Sequence, residues 1–168
     1  MTPAELLTDQ FERIHDLFAD VVDGLSLDAA HARPSARAGA GGNSIAWLLW
    51  HAARIQDDHV AGLSGQDQSW ATWRDRFDLP LGDWDHGYGH SSEQVDSVRV
   101  EDLSLLVEYQ DAVHQQTLAY LQRVDEAELD RVVDENWDPP VTAGVRLVSI
   151  VGDELQHLGQ AQYAKGLA

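Results

Sequence analysis

Apolar side chains in the first 25 residues recur at alternating steps of three and four: Leu7, Phe11, Ile14, Phe18, Val21 and Leu25. At 3.6 residues per turn these positions share one face, so a helix is expected from about Pro3 to Leu25. Thr2, Pro3 and Glu5 supply its start: an N-cap, a proline where no N–H is needed, and a carboxylate placed to close a capping box. A second helix is expected after Ala-Gly-Ala-Gly-Gly at 38–42, capped by Asn43 or Ser44 and ending near Gly65. Leu48, His51, Ala52, Ile55 and His59 form a broad stripe along it. A third spans roughly Glu101 to Arg123, with Leu103, Leu106, Val113 and Tyr120 on one face. The fourth follows Pro139-Pro140, takes Thr142 as its cap and ends at Gly166; Val145, Val148, Leu155 and Leu158 give it an apolar side.

No segment alternates apolar and polar residues in the manner of a strand. The expected fold class is therefore all-α, a four-helix bundle in one domain over 1–168. Two connections are long, 26–42 and 64–100, and loops of that length usually carry structure or function of their own. Ser69 to Phe77 reads as a short helix inside the second. Two long crossovers suit a bundle whose helices do not simply alternate up and down. Gly152 and Gly159 interrupt the fourth helix at about 1 kcal/mol each relative to alanine. They are read as a place where another helix packs closely, with clearance for a substrate as the other reading.

Composition narrows the function. The chain has 11 basic and 29 acidic residues, a formal charge of −18. Such a surface repels phosphate backbones and anionic lipid, so neither a nucleic-acid nor a membrane partner is expected. The longest apolar run, Ile45 to Trp50, is far short of a membrane span, and the Met-Thr-Pro-Ala-Glu start does not resemble a secretory signal. The absence of cysteine removes disulfides, thiolate ligands and a cysteine nucleophile. The cytoplasm is the expected compartment.

Asp153 and His157 lie at i and i+4 of the fourth helix, with Cβ atoms about 5–6 Å apart, so a carboxylate oxygen and an imidazole nitrogen reach one ion. A helix ion pair is the plainer reading of that spacing. His51 closes the most apolar run of the chain and is expected to be buried, either bonded to a carbonyl or tyrosine or donating a lone pair to a metal. Asp58 and His59 follow about 10–12 Å further along the axis, too far to share an ion with His51, and are read as a surface or outer pair. His15 and His114 are expected at the edge of the core. His31 falls in a polar connection, and His86 and His90 flank the Gly87-Tyr88-Gly89 turn. His90 reads as a turn residue, or as an acid or base above the site. The tryptophans are read as packing, with Trp47 and Trp50 as a pocket wall.

Ser-Ile-Ala-Trp-Leu-Leu-Trp-His at 44–51 with His-Leu-Gly-Gln at 157–160 resembles the DinB-like superfamily, which includes mycothiol- and bacillithiol-dependent transferases. The segment from Trp73 to Val95, with its Gly-Tyr-Gly-His turn, resembles an uncharacterised branch of that group. The resemblance implies a metal site of one histidine from the second helix and a His-x-x-x-His pair from the fourth. Those positions fall on His51, Asp153 and His157, with aspartate where most relatives carry histidine. Trp47, His90 and Gln160 are the expected pocket or supporting residues. Two imidazoles and one carboxylate suit a divalent ion with open positions, zinc or iron(II), with zinc preferred; the resemblance puts nickel next. The implied function is a metal-dependent S-transferase or isomerase using a low-molecular-weight thiol such as mycothiol on a small-molecule substrate. The alternative is a non-catalytic bundle, a monomer or a homodimer, with a vestigial or structural metal site.

Overall fold

In a computed structural model, which describes residues 1–34 and 41–168, the long helices are α1 (Pro3–Val22), α3 (Ile45–Ser64), α6 (Ser104–Leu121) and α8 (Ala143–Lys165). Shorter helices lie between them: α2 (Leu27–His31), α4 (Trp70–Phe77), α5 (Ser92–Ser97) and α7 (Glu126–Asp130). The long helices occupy their expected spans and the local signals act as expected, but the core face of α8 is Leu147, Ile150 and Leu158, while Val145, Val148 and Leu155, read as its apolar side, are exposed. Thr2 and Glu5 close a capping box at the start of α1. Ser44 accepts from the Trp47 N–H, Gly65 caps α3 in the left-handed conformation, and Thr142 accepts from the Val145 N–H. The bundle with two long crossovers is thus present. Within the crossovers, α4 matches its expected span, whereas α2 and α5 were too short to show a period.

The expectation of no strand is corrected. Val132–Asp134 (β1) pairs antiparallel with Val141–Thr142 (β2), with Val132 opposite Thr142 and Asp134 opposite Val141. Runs of three and two residues cannot display alternation, so the pattern was below what a sequence period reveals.

The centre of the bundle is α3. Sixteen of its 20 residues are buried, not one stripe of them, because α8, α6, α2 and the 69–90 segment cover it on all sides. Phe11, Ile14 and Phe18 of α1 and Leu147, Ile150 and Leu158 of α8 complete the core. α3 and α8 run antiparallel, bringing His51 to Asp153 and His59 to Arg146. Lys165 at the end of α8 donates to the carbonyls of Asp20 and Asp23 at the end of α1, so those two helices run parallel.

One buried ion pair lies in this core. The Arg54 guanidinium, fully enclosed, donates to Asp57, to the Tyr109 hydroxyl, to Gln68 and to the Asp85 carbonyl. Asp57 in turn accepts from the Ser69 and Trp70 N–H groups and from Tyr109. A buried charge persists only when paired and hydrogen-bonded, and here the partners belong to the crossover. Arg54 and Asp57 therefore fasten the 68–85 segment to α3.

Candidate metal centre

That fastening delivers the loop 83–90 beneath the apolar end of α3. Trp70 holds the Asp83 carbonyl through its indole N–H, and Arg54 holds the Asp85 carbonyl. The Asp85 carboxylate then accepts from the Gly87 N–H at 2.8 Å and from His90 Nε2 at 2.9 Å. His90 Nδ1 accepts from the Trp47 indole at 3.0 Å. Both ring nitrogens of His90 are thereby committed, and the ring is nearly enclosed. The reading of His90 as an acid or base above the site is corrected: it is a bracket between Asp85 and Trp47.

Within this frame the His86 carbonyl accepts from His51 Nδ1. A carbonyl takes only a proton, so the hydrogen sits on Nδ1 and the lone pair on Nε2. His51 is 4 % exposed, and Nε2 points across to α8, 3.9 Å from Asp153 Oδ2. Asp153 Oδ1 lies 3.5 Å from His157 Nε2. One ligand atom from each of the three residues falls within 4.8 Å of the others. Donors about 2.0–2.2 Å from a tetrahedral ion stand about 3.4 Å apart, so this cluster is slightly open for zinc-like geometry. The His157 ring repeats the logic on the other side, with Nδ1 3.4 Å from Gln160 Oε1 and Nε2 toward Asp153. Trp47 stacks on His51 at 4.6 Å and 12° and meets the edge of His157 at 6.0 Å.

The electrostatics follow from burial. Desolvation pushes the His51 pKa down to about 4, with the His157 charge adding to the effect, so the ring is neutral at physiological pH. His157 is raised, chiefly by its hydrogen bond to Asp153. Burial alone would raise the Asp153 carboxyl, but the His157 hydrogen bond and the nearby imidazolium charges hold it below the usual range. Asp153 Oδ2 is buried without a hydrogen-bond partner, facing the lone pair of His51. Two acceptors turned toward each other across less than 4 Å fit a cation between them.

A profile of the DinB superfamily matches residues 10–161. The chain belongs to the DinB superfamily. No protein of curated function matches it. Among solved structures, this DinB-superfamily chain is similar to a conserved protein from Enterococcus faecalis, at 33% identity and TM-score 0.88, covering 98% of this chain and 96% of that one.

Elsewhere, His15 and His114 stack at 4.3 Å between α1 and α6, at the core edge as expected. His31 accepts from the Val100 N–H. Trp50 is fully buried against His90, away from the cluster, in keeping with its reading as packing. Asp58 and His59 pair at 3.3 Å and, with Trp84 and Arg146, line a cavity of about 670 Å³ two turns along the same α3–α8 groove. Close packing at Gly152 and Gly159 is also corrected, since a Cβ on either meets nothing within 4 Å.

Three supporting residues were missed in the sequence. Gly87, at φ +93°, stands where a Cβ would meet His51 Nδ1 at 2.7 Å and both Trp47 and Trp50 at 3.1 Å; the Gly-Tyr-Gly turn was its only trace. Arg54 was visible as a charge inside the most apolar helix. Glu154, fully enclosed beside Asp153, is driven well above the carboxylate range by burial and by its neighbour's charge.

Proposed function

We propose that His51, Asp153 and His157 hold a divalent metal ion, zinc or nickel, and that the protein is a metal-dependent S-transferase or isomerase using a low-molecular-weight thiol. The observation that carries the metal reading is the His51 Nε2 lone pair directed at the unpartnered Asp153 Oδ2. When bound, the ion supplies a Lewis acid that lowers the pKa of a thiol or water brought to it.

The chain's residues do the rest. The His86 carbonyl fixes the tautomer of His51, an arrangement that orients and strengthens an imidazole ligand. Trp47 covers one face of that ring and excludes water from it. Asp153, 34% exposed, and His157 leave the α8 side open to a small molecule. A chain without cysteine has no thiol of its own, which supports an external one. The thiol reading rests on the likeness of 44–51 and 157–160 to a superfamily that includes thiol-dependent transferases.

The test is metal analysis of protein purified without a metal-binding tag, followed by a thiol panel on the loaded protein. About one divalent ion per chain, lost on chelation and in His157→Ala, is expected. Thiol binding or conjugation to a chlorinated or epoxide electrophile should then require the ion. Full occupancy with neither binding nor turnover would remove the transferase reading while leaving the metal site.

A further inference from the structure

The cavity of about 670 Å³ beside Asp58 and His59 is separate from the metal cluster, none of whose three residues lines it. Its volume lies within the roughly 300–1,000 Å³ of small-molecule sites. Its walls are held in place. Gln68 is fixed between Arg54 and Asp58, and the Asp67 carbonyl accepts from Gln116. Trp84 stands between the Asp83 and Asp85 carbonyls, which Trp70 and Arg54 hold, yet its ring is 56% exposed. An exposed indole on a pinned backbone can be covered by a ligand with little further ordering. Leu63, Ala71 and Val133 supply the apolar part of the wall.

Two charged side chains on this wall remain underused. Asp58 is not one of them: Oδ1 accepts from Gln68 at 2.8 Å and Oδ2 stands 3.3 Å from His59 Nδ1. The Asp67 carboxylate, by contrast, has no hydrogen-bond partner among the described residues. Arg146 reaches His59 Nε2 at 3.5 Å and Asp134 Oδ2 at 3.4 Å, both at the far limit of a bond. Its Nε has no partner among the described residues.

We infer that the cavity binds a zwitterion, a small molecule with a carboxylate held by Arg146, an ammonium directed to Asp67 and Trp84, and an apolar stem between. A guanidinium fork matches a carboxylate, and indole is the aromatic ring that best takes an ammonium on its face. The charges select against simpler ligands. An anion alone would meet Asp58, Asp67 and the field of a chain of charge −18. A cation alone would be drawn by that field, but it would leave the Arg146 donors unmatched and lie within their repulsion. A ligand of no net charge is neither steered nor repelled, and its two ends meet opposite charges. None of the metal cluster's residues takes part, so this site stands or falls apart from the ion.

Calorimetric titration of chelator-treated protein with β-alanine, γ-aminobutyrate and ε-aminohexanoate tests this, with hexanoate and hexylammonium as one-charge controls. At least one of the amino acids should saturate the protein below about 10 mM, and both controls should bind at least about 10-fold more weakly. Asp67→Asn should weaken the amino acid by a similar factor with helix content unchanged, since that carboxylate holds nothing else among the described residues. Asp67→Lys should turn the preference to adipate, a diacid of similar length. Trp84→Ala should weaken every ligand of the series. No saturation, a control that binds as tightly as the amino acids, or unchanged binding in Asp67→Asn would overturn the zwitterion site and leave the metal cluster untouched.

Discussion

A Cβ on Gly87 would lie 2.7 Å from Nδ1 of His51, closer than real Cβ contacts come. The glycine's φ of +93° is equally unsuited to other residues. Its bareness is what lets the His86 carbonyl reach the imidazole.

Gly87→Ala should therefore push the loop from His51 and free the ring to change tautomer. Loss of such a supporting bond typically weakens metal binding by about 10–100-fold. Competition with a chelator of known affinity measures this, and circular dichroism should show the bundle intact. Unchanged affinity would mean the carbonyl does not set the ligand.

Asp153 is the position where the site differs from the pattern its family resemblance implies. Asp153→Ala should abolish or severely weaken metal binding, whereas Asp153→His should keep it, since zinc accepts either donor at similar distances. Metal content of the two purified variants decides the point. Full occupancy in the alanine variant would make Asp153 only a partner of His157.

In the metal-free protein His51 should cost stability as pH falls from about 6.5, opposed by the enclosed Glu154, whose raised pKa favours the folded state as pH falls. His51, ordinarily near 6.5, is held at about 4 when folded, so the unfolded chain takes up a proton that the native one refuses. Stability from this group is full above 6.5 and lost down to about 4, at up to ~1.4 kcal/mol per pH unit. His114 and His31, lowered first of all by burial, act in the same direction. The raised His157 acts above 6.5, where its contribution fades as pH rises, so the two windows separate. Urea unfolding at pH 6.5 and at pH 5 should show the stability of His51→Gln rising relative to wild type at the lower pH.

Arg54→Ala should destabilise the protein by about 3–5 kcal/mol, because it strands the buried Asp57 carboxylate. Hydrogen exchange should rise across 68–85, the segment that Arg54 and Asp57 hold, before it rises in α1 or α6. An equal increase everywhere would deny the local role.

The long helices were legible from apolar steps of three and four, and Asp153 with His157 from i, i+4 on α8; that His51 joins them was implied by the family resemblance. What was not legible rests on contacts between distant segments. Nothing in the spacing of Arg54, Asp57 and Gln68 announces one hydrogen-bonded group. His90 resembled a free turn residue until Trp47 and Asp85 were found on its two nitrogens. Gly152 and Gly159 were misread because an outward glycine and a packed one look alike in a sequence.

The antiparallel pairing of α3 with α8 joins residues about a hundred positions apart in the chain. Closing a loop of that size is slow and entropically opposed, and the contact is available only once the intervening helices have taken their places. No local piece of the polypeptide can hold His51 against Asp153, so an ion on both would be a tie drawn last. It should be let go in one step when the bundle opens, making metal release as cooperative as unfolding itself.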